Sequence, residues 1–238
     1  TVLNPQAGTG NITQTEISMV HTFFNIATTV MLFPASNLIV KIAKKIGRVD
    51  EDANDPGTVL LDERMLQTPG IALQSAVKET VRMGEIVRRS IEVAKDVLYT
   101  QDQEAIDILK NDESDVDRLC AGITNYTIKL SSLQISEKEH QEAAHLLQVL
   151  SDMERVSDYC ENISEFAETL RDKKASFSET AKKQLEEMIE ETAKSYFYAL
   201  DAFKEQSHEK ALRVIEKETK VDDLEVKLRS RHIKRLSN

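Results

Sequence analysis

The chain has 238 residues and a formal net charge of −10, enough length for one or two domains with a real core. Only 7 glycines and 4 prolines, no tryptophan, and abundant Glu, Lys, Leu and Ala point to an all-α fold. The acidic balance argues against nucleic-acid binding, which uses basic patches, and leaves cations as natural partners.

Residues 1–16 read as a loop. From Ile17 to Val40 the chain holds 24 residues without a single Asp, Glu, Lys or Arg. A membrane-spanning helix needs roughly 20 predominantly apolar residues, so the run predicts a transmembrane segment over 17–43. A buried core helix is the other reading. A cleaved leader fits less well, because the basic residues follow the run and His21, Asn25 and Pro34 lie inside it. Lys41, Lys44, Lys45 and Arg48 come after it and only Glu16 stands just before it. The positive-inside rule then puts the loop over 1–16 outside and the residues after about 44 in the cytoplasm, at a cell membrane. Pro34 would kink the span, and neighbouring helices must then satisfy the freed backbone groups, as in multi-span transporters.

Residues 44–70 read as a linker, with turn signals at Pro56-Gly57 and Pro69-Gly70. Five long helical patterns follow: about Ile71 to Tyr99, Asp102 to Ser132, Ser136 to Asp172, Ser178 to Glu205, and His208 onward. Ser136 with Glu139 is a capping-box signature, and Ser178 is a plausible cap. Gly122 inside the second helix costs about 1 kcal/mol. The short breaks favour antiparallel neighbours in a bundle. Cys120 and Cys160 have no metal-ligand spacing and read as reduced thiols on apolar helical positions.

Two helices recur. A shift of 105 places Met83 on Met188, Ser90 on Ser195, Glu113 on Glu218, Val116 on Val221, Asp117 on Asp222, Leu119 on Leu224 and Ile123 on Leu228. The unit is a three-helix bundle over 71–172 followed by a second, incomplete copy over 173–238. The helix matching Ser136–Asp172 would begin after Asn238.

Within the repeat stands Glu-x-x-x-Asp: Glu113 with Asp117, and Glu218 with Asp222. The third helix adds Glu154 with Asp158. Like charges one turn apart destabilise a helix by roughly 0.2–0.5 kcal/mol. At 100° per residue from Met153, Glu154 and Asp158 lie at about 100° and 140°, on one shoulder of the apolar stripe. Glu113 and Asp117 take the same-handed shoulder relative to Val116. Two adjacent helices can therefore aim four carboxylates into one groove, which repels itself unless protons or cations neutralise it. Carboxylate oxygens are hard ligands, suited to Mg, Ca, Mn or Fe ions. A solvated acidic face is the competing reading. No Glu-x-x-His pattern, phosphate-cradling glycine loop, nucleophile elbow or HExxH motif is present, so the chain does not read as an enzyme.

The stretch SDMERVSDYCENI, with Asp152, Glu154, Arg155, Asp158 and Asn162, resembles the PhoU signature. The segment VHTFFNIATTVMLFP, with His21, Phe24, Asn25 and Pro34, is similar to part of the bacterial sodium/phosphate cotransporter family. The order apolar run, linker, helical repeats resembles the C-terminal part of such a transporter, with a PhoU-like domain. The resemblance implies divalent or ferric metal ions on Glu113, Asp117, Glu154, Asp158, Glu218 and Asp222, with half of the second site's ligands beyond Asn238. It also implies a sodium-dependent symporter of inorganic phosphate carrying a cytosolic PhoU-like regulatory domain, and partners that include a homo-oligomer or a regulatory protein. None of the family's Gln-Ser-Ser-type transport motifs is present, so no transport ligand is assigned. The alternative is a membrane-tethered phosphate-signalling adaptor without transport activity.

Overall fold

The computed structural model describes residues 18–29 and 56–236, all-helical with no strand among them. The chain divides into two units, Thr1–Ala53 and Asn54–Asn238. In the first, residues 18–29 are helical, with Phe23 and Phe24 exposed. The expected loop over 1–16 and most of the expected span over 17–43, Pro34 included, lie outside the described residues. Among the described residues no helix is long and apolar enough to cross a membrane.

The second unit consists of a short 3-10 helix, Glu63–Gln67, and five α-helices: α1 (Pro69–Thr100), α2 (Gln103–Ser131), α3 (Glu137–Asp172), α4 (Glu179–Glu205) and α5 (His208–Leu236). Their starts are set by local chemistry. Pro69 opens α1, where a missing N–H costs nothing. The Asp102 carboxylate accepts from the Ala105 N–H at the head of α2. Ser136 and Glu139 form a complete capping box on α3, and the Ser178 hydroxyl accepts from the Ala181 N–H on α4. The ends of α1 and α4 match. Gln101 and Gln206 both turn left-handed, at φ 51° and 52°, and they stand in the 105-residue repeat register. Each allows a short reversal into the next helix, so α1–α2 and α4–α5 are equivalent antiparallel hairpins.

Helices α1, α2 and α3 pack pairwise into a three-helix bundle. Its core is built by Met83 and Val87 of α1, Val116, Leu119 and Ile123 of α2, and Leu146 and Leu150 of α3. Leu200 of α4 enters the same cluster, and the Tyr196 hydroxyl donates to the Gly84 carbonyl at 3.0 Å, so α4 docks on α1. At the far end Val97, Ile106, Leu109, Cys160 and Ala167 close a second cluster. Among the described elements, α5 packs against α4 alone.

The end of the expected linker is built into the bundle rather than free. Arg82 donates to the Pro56 carbonyl at 2.5 Å and to the Thr58 carbonyl, while the Leu60 N–H donates to the buried Glu79 carboxylate at 3.1 Å. Val59 crosses α2 at Gly122, where an added Cβ would lie 2.3 Å from a Val59 methyl. The glycine marks the crossing of a strap. Two effects of Gly122→Ala oppose each other: helix propensity favours alanine by about 1 kcal/mol, and forcing a methyl against a stiff β-branched side chain costs about 1–3 kcal/mol. The expected result is net destabilisation in a denaturant titration. Net stabilisation would mean that the strap does not seat there.

A second electrostatic device fastens α5. Glu191, buried on α4, meets Lys217 at 3.1 Å and Lys220 at 3.0 Å, both on α5, with Lys194 at 3.3 Å on its own helix. Hydrogen bonding to Lys220 above all holds its carboxyl down to about 2 from the usual 4.5. A depressed folded-state pKa gives stability that is present above the unfolded value and lost as pH falls through the folded one. The α4–α5 hairpin is therefore expected to loosen as pH falls from about 4.5 toward 2. Glu191→Gln should flatten that pH dependence, read by amide hydrogen exchange of α5.

Candidate metal centre

The seam between α2 and α3 decides where the acidic shoulders go. Val116 and Leu119 of α2 are fully buried, and Leu150 and Met153 of α3 are buried in the same cluster. Residues one step round each helix must then face one another along the rim. Cys120 donates to the Leu150 carbonyl at 3.9 Å, and Lys110 meets Glu168 at 2.9 Å further along the same rim. Between these two contacts stand Glu113 and Asp117 of α2 and Asp158 of α3. One carboxylate oxygen of each lies within 4.8 Å of the other two. Oxygens around one cation lie no further apart than about twice the metal–oxygen bond, roughly 4–5 Å for bonds of about 2.0–2.5 Å. The three oxygens fit that limit, and an all-oxygen donor set is the chemistry of hard cations.

The electrostatics of the group are those of a crowded anionic site. Burial first, and then the charges of Asp117 and Glu161, push the Glu113 carboxyl up to about 7. Burial also raises Glu154, with Asp158 and Asp117 adding to it and Arg155 opposing. The Cys120 thiol is raised by burial first and then by Glu154, so in the metal-free chain it keeps its proton near neutral pH. Glu154 borders the group without belonging to the trio. Asp152 is exposed on the other side of α3 and accepts from Gln148. Four of the six expected ligands thus share one rim, three of them in direct mutual reach.

The remaining pair differs. Glu218 and Asp222 are exposed on α5, and neither belongs to a group of three candidate ligands among the described residues. The reason is packing: α5 touches only α4, so no described helix faces that shoulder.

Two features escape the sequence reading. Glu161 adds its charge to the site from α3, one turn beyond Asp158. Counted from Met153 it falls at about 80°, on the same shoulder, so the signal was there in the Asp-x-x-Glu spacing. Asp112, beside Glu113, is buried at 3% exposure. It accepts from Arg89 Nε at 3.0 Å, from the other arm of that guanidinium, and from the Ser90 hydroxyl at 3.0 Å. This knot locks α1 to α2 just inside the acidic rim.

The PhoU domain family model matches residues 80–167 and 185–238, more than half of the chain. The chain belongs to the PhoU domain family. The two matched PhoU segments begin 105 residues apart, the period of the internal repeat. A relative from Salmonella typhimurium (strain LT2), named "Putative inorganic phosphate export protein YjbB", is 26% identical over 77% of this chain and 34% of its own length. Its counterpart in Escherichia coli (strain K12) gives the same identity and coverage. A "Phosphate-specific transport system accessory protein PhoU homolog" from Xylella fastidiosa (strain Temecula1) is 33% identical over 39% of this chain and 38% of the relative. The chain spans about a third of the length of the export proteins it matches. No solved structure matches.

Proposed function

We propose that this PhoU domain is a metal-dependent regulatory module of a phosphate transport protein and has no catalytic role of its own. The observation that carries the reading is the convergence of Glu113, Asp117 and Asp158 on one point between two helices of a PhoU bundle. Glu154 and Glu161 complete a rim on which Mg, Mn, Ca or Fe ions would be held by oxygen alone. A multivalent cation there would supply the positive charge that the crowded carboxylates lack. Residues of α2 would be tied to residues of α3 in the loaded state and would repel them in the empty one. That difference is a two-state element that a transport domain or a partner protein can sense. Glu218 and Asp222 offer the corresponding pair on α5, to be completed by ligands from elsewhere.

The finer reading is a sodium-coupled phosphate symporter in a cell membrane, with the charge-free run as its last span and the PhoU domain on the cytoplasmic side. The run itself and the exposed Met19, Phe23 and Phe24 of its described helix support the membrane part. Sodium coupling rests on the resemblance of the His21–Pro34 segment alone, whereas the Salmonella and Escherichia relatives are named for phosphate export. The Xylella match favours a second reading, an accessory adaptor without flux. Phosphate movement by the complete protein in sealed vesicles, in sodium against potassium buffer, separates them. Sodium-driven uptake supports the symporter, sodium-independent efflux supports export, and no flux in either buffer supports the adaptor. In the two transporting cases Asp117→Asn/Asp158→Asn should alter the rate, and an unchanged rate would remove the regulatory role.

A further inference from the structure

Helix α2 is engaged on both flanks of its apolar stripe. Counted from Val116, Glu113, Asp117 and Cys120 fall at about 40–100° on the flank that meets α3. Asp115, Arg118, Gly122, Tyr126 and Lys129 fall at about 80–160° on the other flank. That second flank seats residues 56–63. Gly57 lies against the Asp115–Arg118 ion pair, where an added Cβ would come 2.7 Å from the Asp115 carboxylate. Val59 fills the notch at Gly122, the Tyr126 hydroxyl donates to the Asp62 carbonyl at 3.3 Å, and Lys129 pairs with Glu63. Across the groove α1 holds the same segment through Arg82 and Glu79. The strap thus bridges α1 and α2, as the acidic rim bridges α2 and α3. Of residues 56–62 only Gly57 is buried. A hold made mostly of solvent-facing polar contacts belongs to the low end of local stability.

We infer that the strap and the rim are coupled through α2 with opposite signs: a cation at the rim loosens the strap, and a seated strap weakens cation binding. The inference rests on the metal reading of the rim and adds the route by which its occupancy leaves the site. Val116, Leu119 and Ile123 are fully buried, so α2 pivots on them as a rod rather than deforming. In the empty rim the carboxylates repel, the outer groove between α2 and α3 opens, and α2 rolls toward α1 onto the strap. A cation that draws Glu113 and Asp117 toward Asp158 rolls α2 back. The outer groove between α1 and α2 then widens where Gly57 and Val59 sit. Residues 54–62 are also the covalent path from the first unit, which ends at Ala53, into the bundle. A loosened strap therefore lengthens the free tether on which the first unit is carried. Linkage makes the coupling reciprocal, so whatever unseats the strap raises cation affinity by the factor with which the cation favours its release.

Manganese titration of the full chain by calorimetry, with hydrogen exchange over residues 57–66 read in the empty and saturated states, tests this. Circular dichroism is the folding control. The expected result is exchange of the strap about fivefold faster or more at saturation. Val59→Gly, which empties the notch at Gly122 without touching the rim, should bind manganese about fivefold tighter or more. Arg82→Gln, which weakens the hold of α1 on the strap, should shift affinity in the same direction. Glu191→Gln loosens α5 instead and should leave the affinity unchanged. Saturable binding with unchanged strap exchange, a strap that exchanges more slowly when loaded, or a Val59→Gly chain of equal or weaker affinity overturns the coupling while the metal site stands. An equal gain in Glu191→Gln overturns it too, because general loosening would then account for the effect. Absence of manganese binding in the native chain removes the metal reading and the coupling together.

Discussion

Asp117→Asn/Asp158→Asn is expected to raise the melting temperature of the metal-free chain while reducing its affinity for multivalent cations at least a hundredfold. The two effects have one origin. Asp117, Asp158 and Glu113 hold three oxygens within 4.8 Å, and Glu113 keeps its proton up to about 7 because burial and Asp117 disfavour its charge. Removing two charges relieves a repulsion worth about 1–2 kcal/mol, or roughly 3–6 °C for a helical unit of this size. It also removes two of three ligands. At a metal concentration a hundred times its dissociation constant, binding stabilises the native chain by about 2.7 kcal/mol, and the variant should gain none of it. The pH dependence follows in sign. A carboxyl whose folded pKa is raised binds its proton more tightly folded than unfolded, so the metal-free chain loses stability as pH climbs from about 4.5 through 7. The double variant should flatten that slope. Metal affinity should rise over the same window, because ligation needs the carboxylate. Equal melting curves for both proteins, with and without metal, would leave only a solvated acidic rim.

The second large effect is structural. Asp112→Ala is expected to cost about 3 kcal/mol, a fall in melting temperature of roughly 6–12 °C. Asp112 is almost fully buried, while Arg89 is half exposed. Losing the carboxylate strips the charge partner from Arg89 and leaves a small void between α1 and α2. The cost stays below the upper end for buried pairs because Arg89 can turn to water and Ser90 keeps its bond to the Ile86 carbonyl at 3.0 Å. Asp107→Ala, an exposed carboxylate on the same helix, should stay within about 0.5 kcal/mol and serves as the control. Similar losses for both in a urea titration would mean that the buried knot contributes little.

The helices were legible because their ends are written in single residues. Asp102, Ser136 and Ser178 cap three of them, each within a residue of the expected start. The acidic rim was legible for a related reason: helical geometry alone puts Glu113, Asp117, Glu154 and Asp158 beside the apolar stripes, and two stripes that meet carry their shoulders with them. What escaped depended on partners far away in the chain. Residues 56–62 have no periodicity, and only Arg82, Glu79 and Gly122, nineteen or more residues away from the groups they meet, reveal that they strap the bundle. Asp112 belongs to none of the Glu-x-x-x-Asp pairs, although it falls about 40° from Val116, inside the apolar stripe. The pair Glu218 and Asp222 repeats the motif faithfully, yet a repeat in sequence delivers a site only where a facing helix exists.

Titration of manganese into the metal-free full chain, followed by melting temperature and compared with Asp117→Asn/Asp158→Asn, tests the central claim most directly. The account predicts a saturable rise for the native chain and a flat response for the variant, which starts from the higher temperature. A rise of equal size in both, or a native chain that starts above the variant and does not respond to metal, would contradict it.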